Sequence, residues 1–260
     1  MQKVAIITGA SSGIGLATAK LLIENNYIVY GIARSKYSGN DFECFQADVN
    51  DSALIKEIFE KVFAKHQRID VVINNAGMGI AGAVEHASIQ RIEQIFNTNL
   101  TSLVKIASLS IDYLKKSQGN LINLSSVAGI LPIPFQACYS ATKAGVYNFS
   151  LALDGELRRF NVKVTAILPG DTKTGFTRNR ITEGGKGDYK GSIEKSIKRM
   201  EKDEQSGKGP EVVANAILKC LKKKKPPLKY TVGLNYKFFV WLEKVLPVRL
   251  VNFILRKMYG

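Results

Sequence analysis

Lys3-Val4-Ala5-Ile6-Ile7-Thr8-Gly9-Ala10-Ser11-Ser12-Gly13-Ile14-Gly15 is the stretch on which the reading of this 260-residue chain turns. A β-branched apolar run enters a glycine-rich turn, and a helical pattern through Leu16, Ala19, Leu22 and Ile23 leaves it. The unit predicted is strand, tight turn, helix. Glycines at 9, 13 and 15 let a backbone approach a phosphate closely, and a helix start adds free N–H groups and a positive dipole end. The spacing is not G-x-G-x-x-G, so an ordinary flexible turn stands as the alternative.

Working outward, Tyr27 to Ala33 reads as a second apolar strand ending at Arg34. An acid at this place in a dinucleotide fold binds a ribose 2′-hydroxyl, whereas an arginine accommodates a 2′-phosphate. Arg34 therefore argues for NADP(H), with Ser11 placed either to bond the same phosphate or to cap the helix. Cys44 to Ala47 is a short third strand ending at Asp48, and Ser52 to Lys65 a helix with Leu54, Ile55, Ile58, Val62 and Phe63 inward. Asp70 to Ile73 is a fourth strand running into Asn74-Asn75-Ala76-Gly77. A long helix from about Ser88 to Lys116 follows, with Asn97 and Asn99 near its middle, where asparagine is ordinarily unfavourable. Asn120 to Leu124 delivers Ser125-Ser126 to the same sheet edge. Strands alternating with helices predict an α/β fold: a doubly wound, mainly parallel sheet with helices on both faces.

The next helix, to about Phe160, opens with Tyr139-Ser140-Ala141-Thr142-Lys143. Residues four apart share a helix face. A free tyrosine titrates near pH 10, and reaching about 7 takes roughly 4 kcal/mol of preferential phenolate stabilisation. A nearby lysine cation acts in that direction. Alone, the same spacing also describes two surface residues.

Val162 to Leu168 is a sixth strand leading to Pro169-Gly170-Asp171-Thr172-Lys173-Thr174. Residues 184 to 209 combine six glycines with a charged helical stretch from Ile193 to Asp203, a composition expected of a mobile lid, with Phe176, Tyr189 and Met200 as candidates to meet a substrate. Pro210 opens a short helix to Leu221, and Tyr230 to Val232 is a last strand, the seventh. Tyr236 to Tyr259 continues as two apolar and basic helical pieces divided near Pro247, so that 234–260 forms a helical C-terminal extension to one catalytic domain with its core at 1–183.

The net charge is +15. Eleven basic residues from Lys219 onward oppose only Glu243, so +10 of it lies in the last 42 residues. No nucleic-acid motif accompanies them, and nucleic acid is not expected as a partner. Three scattered cysteines and two histidines show no metal-ligand spacing and suit a reducing cytoplasm. No apolar run reaches the roughly 20 residues of a membrane span. Aromatic residues with basic flanks in the extension can still pack on the sheet, cap a cleft or lie in a membrane interface.

From residue 3 to about 222 these features, in this order, resemble the short-chain dehydrogenase/reductase family. Thr8 to Gly15 is similar to its cofactor turn, Asn74 to Gly77 to its sheet-stabilising motif, Tyr139 to Lys143 to its active-site signature, and Pro169-Gly170 with Thr174 to its nicotinamide-side loop. Ser126 and Asn99 fall where the family keeps its other catalytic groups. The resemblance implies a seven-stranded Rossmann sheet and a homodimer or homotetramer. It implies catalysis by Asn99, Ser126, Tyr139 and Lys143. Tyr139 would exchange a proton with the substrate oxygen, Ser126 would bond that oxygen, Lys143 would lower the phenol pKa and bond the nicotinamide ribose, and Asn99 would hold a relay water. It also implies cofactor contacts at Gly9, Ser11, Ser12, Gly13, Ile14, Gly15, Arg34, Asp48, Val49, Asn75, Ala76, Gly77, Tyr139, Lys143, Pro169, Gly170, Thr172 and Thr174. The function expected is NADP(H)-dependent interconversion of a carbonyl and a secondary alcohol, with a steroid- or lipid-like substrate suggested by the apolar extension. Reduction of a carrier-bound β-ketoacyl group and a non-catalytic NADP(H)-binding regulator are the alternatives.

Overall fold

The computed structural model describes residues 1–183 and 189–260. In chain order its elements are β1 (Lys3–Thr8), α1 (Gly13–Glu24), β2 (Tyr27–Ala33), β3 (Glu43–Gln46), α2 (Ser52–His66), β4 (Val71–Asn74), β5 (Ile80–Ala81), α3 (Ile89–Phe96), α4 (Ser102–Ser117), β6 (Asn120–Leu124), α5 (Ala137–Leu157), β7 (Lys163–Leu168), β8 (Ile181–Thr182), α6 (Lys190–Ser206), α7 (Glu211–Leu221), β9 (Lys229–Thr231), α8 (Leu234–Val245) and α9 (Val248–Tyr259). Seven strands form one sheet in the order β3-β2-β1-β4-β6-β7-β9. Every pairing in it is parallel. The inner strands are nearly continuous apolar runs because both faces are covered, whereas the edge strands β3 and β9 are more polar and only partly buried. One face carries Val4, Ile6, Val72 and Leu121 against α2, α4 and α5, with Phe59 fully buried among them. The other carries Ala5, Ile7, Ile73 and Ile122 against α1 and α7. The chain winds outward in both directions from β1 and β4, and the crevice beyond their carboxyl ends is where such a sheet accepts a ligand.

Three details differ from the sequence expectations. The helix predicted over 88–116 is two helices joined by a π-helical turn at Asn97–Thr101, where the backbone takes one extra residue per turn. In α2 the buried stripe is Ile55, Ile58, Phe59 and Val62, while Leu54 and Phe63 are only partly covered. A two-stranded parallel pair, β5 with β8, ties the segment after β4 to the segment after β7. The predicted lid falls partly at 184–188, including Gly184, Gly185 and Gly187, outside the described residues. Its helix, α6, buries Ile193, Ser196 and Met200 on one face. No helix among the described residues is long and apolar enough to cross a membrane.

Candidate active site

The glycine turn is built to leave a cradle. Gly9 sits at φ +67 and donates its N–H to the Ile32 carbonyl at 2.7 Å. Asn75 holds the turn from β4: its Nδ2 donates to the Thr8 and Gly9 carbonyls at 2.9 and 3.2 Å, and the N–H groups of Asn75 and Ala76 both donate to Thr8 Oγ1 at 3.0 Å. A Cβ on Gly9 would come within 2.8 Å of Asn75 Nδ2, and one on Gly15 would run into the Gly9 carbonyl. Ser12 precedes α1 with extended backbone, and its hydroxyl caps nothing. The first-turn N–H groups around Gly13, Ile14 and Gly15 are therefore left for an anion, which fits a dinucleotide pyrophosphate. Thr174 lies across from Gly13, at 3.5 Å from where its Cβ would stand. Arg34 is exposed at the end of β2 and makes no ion pair among the described residues. Asp48 accepts from the N–H and side chain of Asn50 through one oxygen, at 2.9 and 2.8 Å. Val49 beside it is buried.

The catalytic candidates converge at the carboxyl end of β6. Ser126 caps the short turn Val127–Gly129, accepting from Ala128 N at 3.1 Å, and its hydroxyl also meets the Tyr139 phenol. Lys143 is buried, one turn along α5, with Nζ donating to the Leu124 carbonyl at 2.8 Å and standing 5.8 Å from the Tyr139 ring centre. Asn99 is fully buried in the π turn; its Oδ1 accepts from Met78 N and its Nδ2 donates to Met78 O, both at 2.8 Å, with Thr142 Oγ1 at 3.3 Å. The extra residue of the π turn thus locks the chain after β4 onto the tyrosine helix. Burial dominates the titration of the pair. It pushes the Tyr139 phenol up to about 12, against the opposing hydrogen bond from Ser126, and pushes Lys143 down to about 8. The neutral phenol and the lysine cation are the forms present near pH 7. In the protein alone, loss of solvent outweighs the Ser126 hydrogen bond and the Arg180 charge, which favour the phenolate.

Gly77 has a role its place in a motif did not reveal. A Cβ there would lie 3.3 Å from Asn99 Oδ1 and 3.6 Å from Lys143 Nζ, so the missing side chain keeps open the gap between these two polar groups. One lone pair of Oδ1 remains to meet a water in that gap. We predict that Gly77→Ala, which its backbone tolerates, lowers kcat about tenfold, or about 1.4 kcal/mol of barrier. NADPH affinity measured by fluorescence should change far less. An unaltered kcat would remove the gap from the mechanism.

The far wall of the cleft joins Phe176, one of the residues expected to meet a substrate, to polar side chains that sequence alone did not single out. The Phe176 ring packs on Tyr139, centre to centre 5.8 Å. Arg180 is almost wholly buried, pairs through Nη2 with Glu204 of α6, and leaves Nε and Nη1 without a partner among the described residues. Thr177 Oγ1 donates to the second oxygen of Glu204 at 2.5 Å. Asp171 accepts the Tyr236 hydroxyl, and burial raises its carboxyl pKa. The charges of Glu204, Arg180 and Asp171 all reach the Tyr139 phenol. No spacing rule links Arg180 to Glu204, and only the fold brings them together. Of the loop predicted to face the nicotinamide, Pro169 accepts from Val127 N at 3.0 Å, Thr172 Oγ1 donates to the Gly170 carbonyl at 2.9 Å, and Gly170 abuts the Tyr236 ring.

A phosphate cradle beside a serine, a neutral tyrosine and a buried lysine at the carboxyl edge of a parallel sheet defines a nicotinamide-dependent oxidoreductase. The sequence model of the short chain dehydrogenase family matches residues 3–184, and the chain belongs to that family. It is 39% identical over 265 aligned residues to a 3-ketodihydrosphingosine reductase of Bacteroides thetaiotaomicron, covering 99% of this chain and 98% of that one. It is 32% identical to the 3-oxoacyl-[acyl-carrier-protein] reductase FabG of Chlamydia trachomatis, over 69% of this chain and 77% of that one. Among solved structures, a short-chain dehydrogenase from Streptomyces avermitilis superposes with a TM-score of 0.84 at 26% identity, covering 94% of this chain and 93% of the other.

Proposed function

We propose that this chain reduces, with NADPH, the keto group of a long-chain lipid amine of the 3-ketodihydrosphingosine kind. The observation that carries this reading is the extent of similarity: the sphingoid-ketone reductase matches end to end, through α8 and α9, whereas the acyl-carrier reductase matches only about two thirds of the chain. The cleft agrees with it. The carboxylate of Asp171 near Tyr139 suits a protonated amine beside the ketone, and the Arg180 donors without a partner among the described residues suit a neighbouring hydroxyl.

A nicotinamide cofactor held at the glycine cradle would supply the hydride for the carbonyl carbon. Tyr139 gives its phenolic proton to the carbonyl oxygen, which its raised pKa favours over removing a proton from an alcohol. Ser126 donates to the same oxygen and stabilises the charge that develops on it. Lys143 would hold the ribose of the cofactor and, through the gap beside Gly77, would pass a proton from a water at Asn99 back toward the phenol. The proton lost by Tyr139 is thus restored from solvent, and one ketone, one NADPH and one proton yield one alcohol and one NADP⁺.

Arg34 carries the choice of cofactor. Arg34→Asp removes a cation from the 2′-phosphate and places a like charge there, so NADPH should weaken at least about 30-fold relative to NADH, roughly 2 kcal/mol. An unchanged preference would assign the selectivity elsewhere. The reduction of a carrier-bound β-ketoacyl group is kept as the second reading because the basic C-terminal segment would attract an acidic carrier protein. Relative kcat/KM for a sphingoid ketone and a β-ketoacyl thioester separates the two; a preference of tenfold or more for the thioester would displace the lipid-amine reading.

A further inference from the structure

The two C-terminal helices leave a large apolar surface uncovered. In α8, Leu234, Phe238, Trp241 and Val245 recur at i, i+4, i+7 and i+11 and are 82%, 55%, 56% and 57% exposed. The opposite face of the same helix is the one that packs: Val240 is buried against Val127, Ala166 and Leu168, and Tyr236 packs beside it. Both faces are apolar, so only one of them is accounted for by folding. In α9 no residue is buried, and Leu250, Phe253, Ile254 and Met258 stand exposed. Ten large apolar side chains on α8 and α9 together expose on the order of 800 Å², above the roughly 300–600 Å² of the largest patch on a typical monomer. Lys237, Lys244, Arg249, Arg256 and Lys257 lie among these residues, with Glu243 the one acid. Each helix has 12 residues and so spans about 18 Å, short of the roughly 30 Å hydrocarbon core.

An apolar stripe rimmed by cations on helices too short to cross is the composition of a segment lying in a membrane interface. We propose that α8 and α9 form an interfacial anchor that seats this enzyme on an anionic lipid surface. The aromatic and aliphatic stripe enters the boundary between headgroups and acyl chains, and the basic residues meet anionic headgroups. Each helix is tied to an element of the catalytic cleft. Tyr236 bonds Asp171 in the loop after β7, and Tyr259 of α9 donates to Asp203 of α6 at 3.1 Å, next to the Glu204 that holds Arg180. Docking therefore sets the cleft mouth beside the bilayer, where a long-chain ketone resides. That last consequence rests on the proposed substrate, while the anchoring itself does not.

Trp241 is the sole tryptophan of the chain and sits in the exposed stripe, so its emission reports this surface alone. The full chain is titrated with phosphatidylcholine vesicles and with vesicles containing phosphatidylserine. Reduction of a short water-soluble ketone is followed in parallel. The expected result is a blue shift and protection from acrylamide only with phosphatidylserine, reversed by high salt. Phe238→Ser with Val245→Ser should weaken vesicle partitioning at least tenfold and leave short-ketone turnover unchanged. Two results would overturn the anchor. One is no response to anionic vesicles. The other is an emission already blue-shifted without lipid that moves red on dilution as an oligomer dissociates, which would assign the stripe to contact between copies. Vesicle binding with no turnover of any lipid ketone would leave the anchor standing and sink the substrate reading instead.

Discussion

Tyr139→Phe is expected to lower kcat for ketone reduction about 10³-fold, some 4 kcal/mol of barrier, while NADPH binds with near-wild-type affinity. The substitution removes one oxygen and its proton but keeps the ring that packs on Phe176 at 5.8 Å, so the cleft wall is preserved. Ser126 remains to stabilise the carbonyl oxygen, and it accounts for residual turnover. Single-turnover rates with pre-bound NADPH, beside a binding isotherm for the cofactor, give the two quantities separately. Loss of less than about tenfold would mean that another group supplies the proton. Loss of cofactor binding as well would mean that the phenol is structural.

Lys143→Met should fail in both respects. The buried cation donates to the Leu124 carbonyl at 2.8 Å and stands 3.6 Å from where a Cβ on Gly77 would lie, and the proposed mechanism gives it both the ribose and the proton path. Kd for NADPH is expected to rise at least about tenfold and kcat to fall at least about 100-fold. The pH profile tells which role dominates. Burial holds the lysine pKa down at about 8, so the ammonium is present below that pH and lost above it. With Tyr139 pushed up to about 12, the phenol keeps its proton across this range. Reductive kcat should therefore be level from about pH 6 to 7.5 and decline as pH rises through about 8. In Lys143→Met that decline should vanish, leaving a low, flat rate. A profile that rises with pH in the wild-type enzyme would contradict both assignments.

The parallel sheet was legible because its inner strands are apolar runs closed by a polar or glycine signal. Tyr27–Ala33 and Asn120–Leu124 were read to the residue. The glycine turn was legible for a related reason: a close backbone approach admits few other residues, so the physical demand is written in composition. The π turn at Asn97–Thr101 was not, since one extra residue in a helix leaves the apolar period almost unchanged, and only the misplaced asparagines hinted at it. Nor was the direction of the Tyr139 shift. The spacing to Lys143 shows a cation nearby, but burial depends on Phe176 and on α6, which no local pattern connects to α5. Arg180 and Glu204 were missed on the same ground. The exposed stripe of α8 escaped because Tyr236 and Val240 are as apolar as Phe238 and Trp241, and periodicity cannot say which face meets the sheet. NADP(H) preference, assembly into homodimers or homotetramers and the lid at 184–209 stay as proposals drawn from Arg34, from the family and from composition.

The most direct test of the account supplies the full chain with NADPH deuterated at the transferable position of the nicotinamide and with 3-ketodihydrosphingosine in phosphatidylserine-containing vesicles. Mass spectrometry of the lipid product should find one deuterium on the carbinol carbon for each NADPH consumed, with neither product nor label in Tyr139→Phe on the same timescale. Consumption of NADPH without a labelled alcohol, or labelled product formed equally fast by Tyr139→Phe, would contradict it.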